Sequence, residues 1–261
     1  MTRARAATVA SVVVVAVALT SCGSSHTATR RNAPSPVSEV TSTRPRATTT
    51  TTVPAYVSLT AQANVAHLSV YDHPNAQAPA QVLDNPWLVD PSRPSSSVPQ
   101  VFLVESRRAG WVHVLLPVRP NGTSGWVRAA DVTLSPVVFK IRVELGTHRI
   151  TVFSRGARIY TGPVADGAPN TPTPVGHYYI RVLIKAPDPN TVYGPYAYGL
   201  SSHSDALASF DGGDAEIGIH GNNDASVLGT SVTHGCIRID NDEIARLAST
   251  LPLGTPVDIQ P

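Results

Sequence analysis

Apolar and polar residues alternate along the second half of the chain, as they do in strands that bury one face. The alternation begins with five apolar positions, which are Val137, Phe139, Ile141, Val143 and Leu145. Gly146-Thr147-His148 and Ser154-Arg155-Gly156 interrupt it as turns. Period-2 alternation with a turn every few residues favours an antiparallel sheet with one buried face. The pattern therefore predicts a mostly β unit over residues 137–260, which is long enough to form its own core.

Near the end of this unit the apolar period changes to that of a helix. Asp240 or Asn241 can cap the helix, and Glu243 suits its first turn. The apolar stripe consists of Ile244, Leu247, Ala248 and Leu251. The sequence therefore predicts a single late helix in a mainly β fold.

Residues 56–135 form a separate series of short strands, divided by proline and glycine. Gly110-Trp111-Val112 and Gly125-Trp126-Val127 lie on either side of a turn-rich loop through Pro120-Asn121-Gly122. Spacing of this kind suits a small antiparallel barrel. The repeated Gly-Trp-Val resembles a bacterial SH3-like domain. Two roles stay open for this unit. It would bind wall glycan or peptide, or it would serve as a spacer with both tryptophans buried in its core.

The N-terminus has the pattern of an export signal. Basic residues precede an apolar run over residues 6–19, which is shorter than the ~20 residues that a membrane span needs. Leu19-Thr20-Ser21-Cys22 then resembles a bacterial lipobox, in which the cysteine is lipidated and becomes the mature N-terminus. The resemblance implies a lipoprotein signal peptide over residues 1–22 with Cys22 as the lipid attachment site. The alternative is an uncleaved anchor, and both place the rest of the chain on the outer face of the cytoplasmic membrane.

Residues 23–55 are rich in Ser, Thr, Pro and Ala and have almost no large apolar side chains. Such a segment buries too little surface to offset its conformational entropy. We therefore predict a disordered tether, and a cleaved propeptide is the alternative.

Charge and cysteine content narrow the classes of function. The formal net charge is +2, and no basic cluster indicates a nucleic-acid partner. The chain has two cysteines. If Cys22 carries lipid, Cys236 has no intrachain partner, and an unpaired thiol in an exported protein indicates function.

The candidate chemistry lies in Thr233-His234-Gly235-Cys236, with Ile219-His220-Gly221 upstream. A thiol becomes a strong nucleophile when ionised, and a histidine that titrates near neutrality can exchange the proton with it. These residues supply the minimum for covalent acyl transfer. The alternatives are a buried inert cysteine and a metal site formed by His220, His234 and Cys236.

The two motifs together resemble the active-site signature of the L,D-transpeptidase (YkuD-type) family. Thr173-Pro174-Val175-Gly176 is similar to that family's Thr-Pro-x-Gly turn, and the segment from Gly254 to Ile259 is similar to its closing strand. The resemblance covers about residues 137–260. It implies a β-sandwich catalytic domain with one late helix.

The resemblance also implies roles for individual residues. Cys236 would be the nucleophile and His220 the base, with the backbone carbonyl of Gly221 orienting the imidazole. The N–H groups of Gly235 and Cys236, with His234 nearby, would stabilise the oxyanion. His234 as the base remains an alternative. No metal and no organic cofactor is expected, because the thiol supplies the chemistry.

Three further residues are predicted to bind substrate. Arg238 lies two positions after Cys236, so a strand would place both on one face; it would hold a substrate carboxylate, or else pair with Asp240 or Asp242. Thr233 and Tyr198 are the other two. Tyr198 belongs to the stretch over residues 193–204, where the family keeps a lid, and packing within the loop is the alternative for its aromatic side chains.

The resemblance implies a peptidoglycan L,D-transpeptidase that forms 3→3 cross-links between stem peptides through a cysteine thioester, with carbapenems as acylating inhibitors of Cys236. Two alternatives remain open. One is a carboxypeptidase or endopeptidase in which water resolves the thioester. The other is an inactive lipoprotein whose SH3-like unit binds wall glycan or peptide.

Overall fold

The computed structural model of the protein describes residues 56–90, 93–210 and 212–261. The predicted signal peptide over residues 1–22, the lipid site at Cys22 and the tether over residues 23–55 lie outside the described residues. Within the described ranges, no helix has the length and apolar character needed to cross a membrane.

The first half of the described chain is a five-stranded sheet with two small hairpins. Its strands are β1 (Ser58–Ala63), β2 (His67–Val70), β3 (Gln81–Asp84), β4 (Trp87–Leu88), β5 (Ser97–Val98), β6 (Val101–Arg108), β7 (Trp111–Leu115), β8 (Ser124–Arg128) and β9 (Val132–Val137). The sheet order is β8-β7-β6-β1-β9, and β2 pairs with β3 as β4 does with β5. All these pairs are antiparallel. The assignment of this unit as an SH3-like barrel stays a prediction.

The second half is an eight-stranded sheet with one α-helix. Its elements are β10 (Phe139–Glu144), β11 (Arg149–Ser154), β12 (Ala157–Pro163), β13 (Asp166–Gly167), β14 (Gly176–Lys185), β15 (Tyr196–His203), β16 (Glu216–His220), β17 (Ser231–Thr233), β18 (Ile237–Arg238), α1 (Asn241–Ala248) and β19 (Pro256–Gln260). The sheet order is β12-β11-β10-β19-β14-β15-β16-β18, and β13 pairs with β17. Short 3₁₀ turns occupy Pro94–Ser96, Ala129–Asp131, Leu145–Thr147 and Ala225–Val227. The predicted mainly β fold with one late helix is confirmed.

The alternating pattern is reproduced in β10, with one correction at its start. Ile141 and Val143 are buried, whereas Arg142 and Glu144 are partly exposed. Val137, however, belongs to β9 and pairs with Ser58 of the first unit. Strand β9 therefore runs through the boundary that the sequence placed between residues 135 and 137. Two pairs in the second sheet, β10–β19 and β16–β18, are parallel rather than antiparallel.

Strand β14 joins the two halves through its side chains. Tyr179 is fully buried in the apolar cluster of the first unit, beside residues such as Phe102 and Leu68. Two positions further along the strand, the guanidinium of Arg181 lies 3.6 Å from the ring centroid of Trp87 and also pairs with Glu216. Alternate side chains of one strand of the second unit are thus part of the packing of the first unit.

The helix forms where the sequence predicted it, and its N-cap is Asp240 rather than Asn241. The Asp240 carboxylate accepts the N–H groups of Asp242 and Glu243 at 2.9 and 3.2 Å, as expected of an N-cap. Ile244 and Leu247 pack into the core of the second unit. This burial holds α1 against β15.

Tyr198 of β15 corrects one prediction of the sequence, which placed it in contact with substrate. Its side chain is 0% exposed and belongs to the core. Its hydroxyl donates a hydrogen bond of 2.7 Å to the carbonyl of Leu247 in α1. Tyr198 pairs across the sheet with Ile219, and directly opposed residues share a face. That face is the core, so Tyr198 anchors the helix.

A Tyr198→Phe variant should lower the free energy of unfolding by about 1 kcal/mol, a typical loss for one buried hydrogen bond. The loss stays small because the Leu247 carbonyl also accepts the N–H groups of Thr250 and Leu251. The rate at which iodoacetamide alkylates Cys236 should not change. Denaturant unfolding and mass spectrometry measure the two quantities. Tyr196→Phe, at a half-buried tyrosine of the same strand, is the matched control, and an equal loss in both variants would contradict the anchoring role.

Candidate active site

Strands β16 and β18 bring the two sequence motifs onto one face of the sheet. They run parallel, with Ile219 opposite Ile237 and His220 opposite Arg238. The alternate isoleucines face the core and are Ile217, Ile219, Ile237 and Ile239. Because successive side chains of a strand point to opposite faces, the residues between them share the other face. These are Gly218, His220, Cys236 and Arg238.

The imidazole of His220 is fixed and largely withdrawn from solvent. Its side chain is 3% exposed, and Nδ1 lies 2.7 Å from the carbonyl oxygen of Gly221. A carbonyl oxygen only accepts, so Nδ1 carries the proton and Nε2 keeps its lone pair in the neutral ring. Burial lowers the pKa of His220 to about 4; the Gly221 and Val192 carbonyls raise it, and the Arg238 charge lowers it further. His220 is therefore a neutral ring at neutral pH, and the lone pair of Nε2 is its basic site.

Cys236 is a half-buried cysteine with a free thiol. Its Sγ accepts the N–H of Gly218 at 3.3 Å. Burial raises the pKa of the Cys236 thiol, against the Gly218 N–H and the Arg238 charge, which lower it. The two shifts favour the neutral forms of both the Cys236 thiol and the His220 ring near neutral pH.

Gly218 is a site residue that the sequence analysis missed. A Cβ at this position would lie 3.8 Å from Cδ2 of His220, 3.9 Å from Sγ of Cys236 and 3.0 Å from the Tyr198 carbonyl. Gly218 therefore forms the floor between the histidine and the thiol, where its lack of a side chain leaves room. Its position two residues before His220, on the same face of a strand, is the signal that could have found it.

The turn before the nucleophile is held by the hydroxyl of Thr233. This hydroxyl donates to the Cys236 carbonyl at 2.6 Å and accepts the Gly235 N–H at 3.1 Å. Thr233 is buried, so its predicted contact with substrate is wrong, because both hydrogen-bonding functions of the hydroxyl are used within the turn. Gly235 has a φ of +114°, and a Cβ there would lie 2.8 Å from Cδ1 of Ile217. Only glycine fits this position without strain.

The oxyanion donors also need correction. The sequence assigned the N–H groups of Gly235 and Cys236, but the Gly235 N–H is bound to Thr233. Among the described residues, no acceptor binds the N–H of Cys236. The Cys236 N–H is therefore the free backbone donor next to the sulfur.

The Thr-Pro-x-Gly motif acquires a structural role. The hydroxyl of Thr173 donates to the Gly235 carbonyl at 2.8 Å and accepts the N–H of Gly167 at 2.9 Å. Thr171, which precedes the motif, donates to the Thr233 carbonyl at 2.9 Å. Both threonines are buried. Their hydroxyls hold the Thr233 and Gly235 carbonyls of the turn that precedes Cys236.

Arg238 lies on the face predicted for it, but without the acidic partners that the sequence offered as an alternative. The Asp240 carboxylate caps α1 instead. The ion pairs of the described residues include none between Arg238 and Asp240 or Asp242. The Arg238 Nε is buried without a hydrogen-bond partner. The charge of Arg238 lowers the pKa of both His220 and Cys236. A cation therefore lies close to the imidazole and the thiol.

His234 is exposed, and its ring centroid lies 5.2 Å from that of Phe210. The described residues contain no cluster of three or more His, Cys, Asp or Glu side chains suited to a metal ion. The structure brings His220 and Cys236 together on one face and leaves His234 at the rim.

The segment that covers the histidine is shorter than the predicted lid over residues 193–204. Tyr196–His203 is strand β15, and the covering loop is residues 186–195. The Tyr193 ring lies 5.0 Å from that of His220. Gly194 is packed so tightly that a Cβ would lie 2.7 Å from Cα of Gly221. The loop thus closes directly over the histidine.

Two asparagines missed by the sequence analysis brace the backbone beyond His220. Asn222 N–H donates to Oδ1 of Asn241 at 2.8 Å, and Asn241 Nδ2 donates to the Asn222 carbonyl at 2.9 Å. Nδ2 of Asn222 donates to the Ile239 carbonyl at 2.7 Å. Asn241 was considered as a helix cap, but it links α1 to the histidine loop.

A Thr173→Val variant should lower the free energy of unfolding by about 1–3 kcal/mol, because the Gly235 carbonyl and the Gly167 N–H lose a buried partner. It should also slow alkylation of Cys236, since the turn loses a fastening point. Chemical unfolding and iodoacetamide labelling measure these effects. Thr151→Val removes an exposed hydroxyl contact with Thr161 and is the control. Equal behaviour of the two variants would refute the role of Thr173.

The ionisation states predict a specific pH profile. Iodoacetamide reacts with the thiolate, so the rate at Cys236 should rise steadily through pH 8 and beyond, because the thiol pKa is raised. The His220 ring should titrate near pH 4, being neutral above that value and protonated below it. Labelling rates and the ring resonances in NMR spectra provide the measurement. A labelling plateau from about pH 5 to 7 would reveal a preformed thiolate–imidazolium pair instead.

Comparison with known proteins agrees with the geometry. The family model described as the L,D-transpeptidase catalytic domain, YkuD, matches residues 139–259. A Bacillus licheniformis protein named "Putative L,D-transpeptidase YkuD" is 31% identical over 154 residues, which cover 56% of this chain and 85% of that protein. The Bacillus subtilis protein of the same name is 32% identical over 123 residues, or 47% of this chain and 66% of that protein.

Among solved structures, an L,D-transpeptidase from Mycobacterium smegmatis aligns with 60% of this chain and 80% of its own, at 16% identity and a TM-score of 0.39. The sequence comparison carries the assignment, because the match extends over most of the Bacillus licheniformis protein. The chain belongs to the YkuD family and contains an L,D-transpeptidase catalytic domain.

Proposed function

We propose that this protein is a cysteine-dependent peptidoglycan L,D-transpeptidase that forms 3→3 cross-links between stem peptides. The observation that carries the proposal is the fixed His220 ring, whose Nδ1 is bound to the Gly221 carbonyl on the face it shares with Cys236. A carbonyl is sufficient as the third member, since it only sets the tautomer and the orientation of the base.

In the first half-reaction, Sγ of Cys236 attacks the carbonyl carbon that precedes the terminal D-amino acid of a tetrapeptide stem. Nε2 of His220 takes the thiol proton during the attack, because the two groups start neutral. The tetrahedral intermediate then collapses as His220 returns this proton to the departing amine. The products are a thioester on Cys236 and the free amino acid.

In the second half-reaction, an amine on the third residue of a neighbouring stem attacks the thioester. His220 accepts a proton from this amine and returns it to the sulfur as the C–S bond breaks. The new amide is the 3→3 cross-link, and the thiol is regenerated. Water in place of the amine would give the hydrolytic alternative with the same groups.

The groups proposed to stabilise the negative charge in both half-reactions are the Cys236 N–H, His234 and Arg238. The Cys236 N–H, which is not bound to another described residue, points to the developing oxyanion as its donor; the loss of one such donor typically costs ~2.7–4 kcal/mol. His234 at the rim is a second candidate. Arg238 supplies a cation beside the thiol and is proposed to hold the carboxylate of the stem.

The proposal extends to location and inhibition. The apolar N-terminal run and the lipobox-like Cys22 support export and lipid anchoring at the outer face of the cytoplasmic membrane, with residues 23–55 as a tether to the wall. Membership of the family supports acylation of Cys236 by carbapenems. No nucleic acid takes part.

Incubation of the purified protein with disaccharide-tetrapeptide muropeptides tests the proposal, with a Cys236→Ala variant as control. Because one free terminal amino acid is released for each bond formed, we expect a dimer lighter than two monomers by the mass of that amino acid. Mass spectrometry detects it, and the variant should form none.

The other outcomes separate the alternatives. Cysteine-dependent tripeptide monomer without dimer would make the protein a hydrolase. No product from either sample would contradict the enzymatic proposal and favour the wall-binding lipoprotein.

A further inference from the structure

The loop between β7 and β8 of the first unit reaches the catalytic unit through Arg119. Its Nη1 donates to the Ser204 carbonyl at 2.6 Å, and Nη2 donates to the carbonyls of Leu207 and Asp214 at 3.0 and 2.9 Å. Its Nε lies 3.4 Å from the Asp214 carboxylate. One guanidinium therefore binds three backbone carbonyls and a carboxylate of a single segment. Hydrogen bonds from a charged donor are among the strong ones in proteins.

Asn121 of the same loop binds the beginning of that segment. Its Nδ2 donates to the His203 carbonyl at 2.7 Å, and its Oδ1 accepts the His203 N–H at 2.9 Å. Nδ2 also lies 3.0 Å from the Asp205 carboxylate. The amide thus pairs with His203 as a neighbouring strand would, at the end of β15.

The described residues of the segment held in this way, 203–210 and 212–215, form a loop whose two ends are joined by hydrogen bonds. The Ser204 N–H donates to the Ala215 carbonyl at 2.9 Å, and the Ser204 hydroxyl accepts the N–H of Leu207 at 3.1 Å. His203 is 2% exposed, and its Nε2 lies 3.1 Å from the Asp214 carboxylate. The contacts of Arg119 and Asn121 lie at both ends of the loop and at Leu207, so they hold the backbone on either side of its tip.

The tip carries Phe210 to the rim of the active site. Phe210 and Gly213 exchange two backbone hydrogen bonds of 3.1 and 2.9 Å. The Phe210 side chain remains 41% exposed, and its ring centroid is 5.2 Å from that of His234. His234 is two residues from Cys236. An aromatic ring partly open to water, in contact with the histidine of the Thr-His-Gly-Cys motif, is a surface on which an aliphatic part of a substrate can pack.

We infer that Arg119 and Asn121 are positioning residues, which hold Phe210 as an apolar wall of the stem-peptide site. The inference rests on the proposed function for the nature of the substrate. It gives the first β unit a part in catalysis, because that unit supplies the two side chains that fix one wall of the site. Neither Arg119 nor Asn121 reaches the reacting atoms, so they should affect substrate binding more than chemistry.

The test is steady-state kinetics of the full-length protein with tetrapeptide muropeptide as donor. Arg119→Ala and Phe210→Ala should each raise KM about tenfold while kcat changes less than about twofold, the signature of lost binding without lost chemistry. Because both changes remove the same wall, the double variant should have the KM of Phe210→Ala alone, rather than the product of two separate effects. Arg119→Lys, which keeps the charge but not the planar fork, should have an intermediate KM.

Arg108→Ala is the matched control, since Arg108 lies over Trp126 within the first unit. It should leave KM unchanged. A wild-type KM for Arg119→Ala, or effects of Arg119→Ala and Phe210→Ala that multiply in the double variant, would overturn the inference.

Hydrogen exchange of residues 203–215 is a readout that does not depend on turnover. Exchange there should accelerate about tenfold or more in Arg119→Ala and stay unchanged in Arg108→Ala, because local opening follows the loss of anchoring contacts. Unchanged exchange in Arg119→Ala overturns the inference by itself. An absence of turnover in the wild type, with faster exchange in Arg119→Ala, would instead refute the proposed function and leave the positioning role standing.

Discussion

The parallel register of β16 and β18 is the constraint on which the active site depends. It sets His220 opposite Arg238 and places Cys236 one residue before the strand. Because the isoleucines of both strands are buried, neither strand can slip by one residue without moving apolar side chains into solvent. The core therefore fixes which residues face outward. The same packing that stabilises the catalytic unit decides that the thiol, the imidazole and the guanidinium are neighbours.

Burial is the main influence on the protonation of His220 and Cys236. Withdrawal from water disfavours both the imidazolium of His220 and the thiolate of Cys236. The Arg238 charge stabilises the thiolate only in part. In the proposed reaction, charge would therefore form only during attack, next to the Cys236 N–H and the Arg238 cation. The loop over His220 contributes to this state, since it completes the burial of the ring.

The two β units depend on each other physically. Tyr179 and Arg181 extend from β14 into the packing of the first unit. In the other direction, Arg119 and Asn121 extend from the first unit to His203 and Ser204, at the start of the loop that carries Phe210. Contacts in both directions make the first unit part of the packing that holds β14 and the loop after β15.

The sequence alone predicted the mainly β fold, a late helix capped at Asp240 or Asn241, and the two motifs that carry His220 and Cys236, because periodicity, capping and short motifs are local signals. Tertiary structure alone decided what depends on distant partners. Tyr198 is in the core because Ile219 opposes it across the sheet, and the Thr233 hydroxyl is consumed within its own turn. Partners that meet through the folding of separate segments leave no spacing in the chain from which they could be predicted.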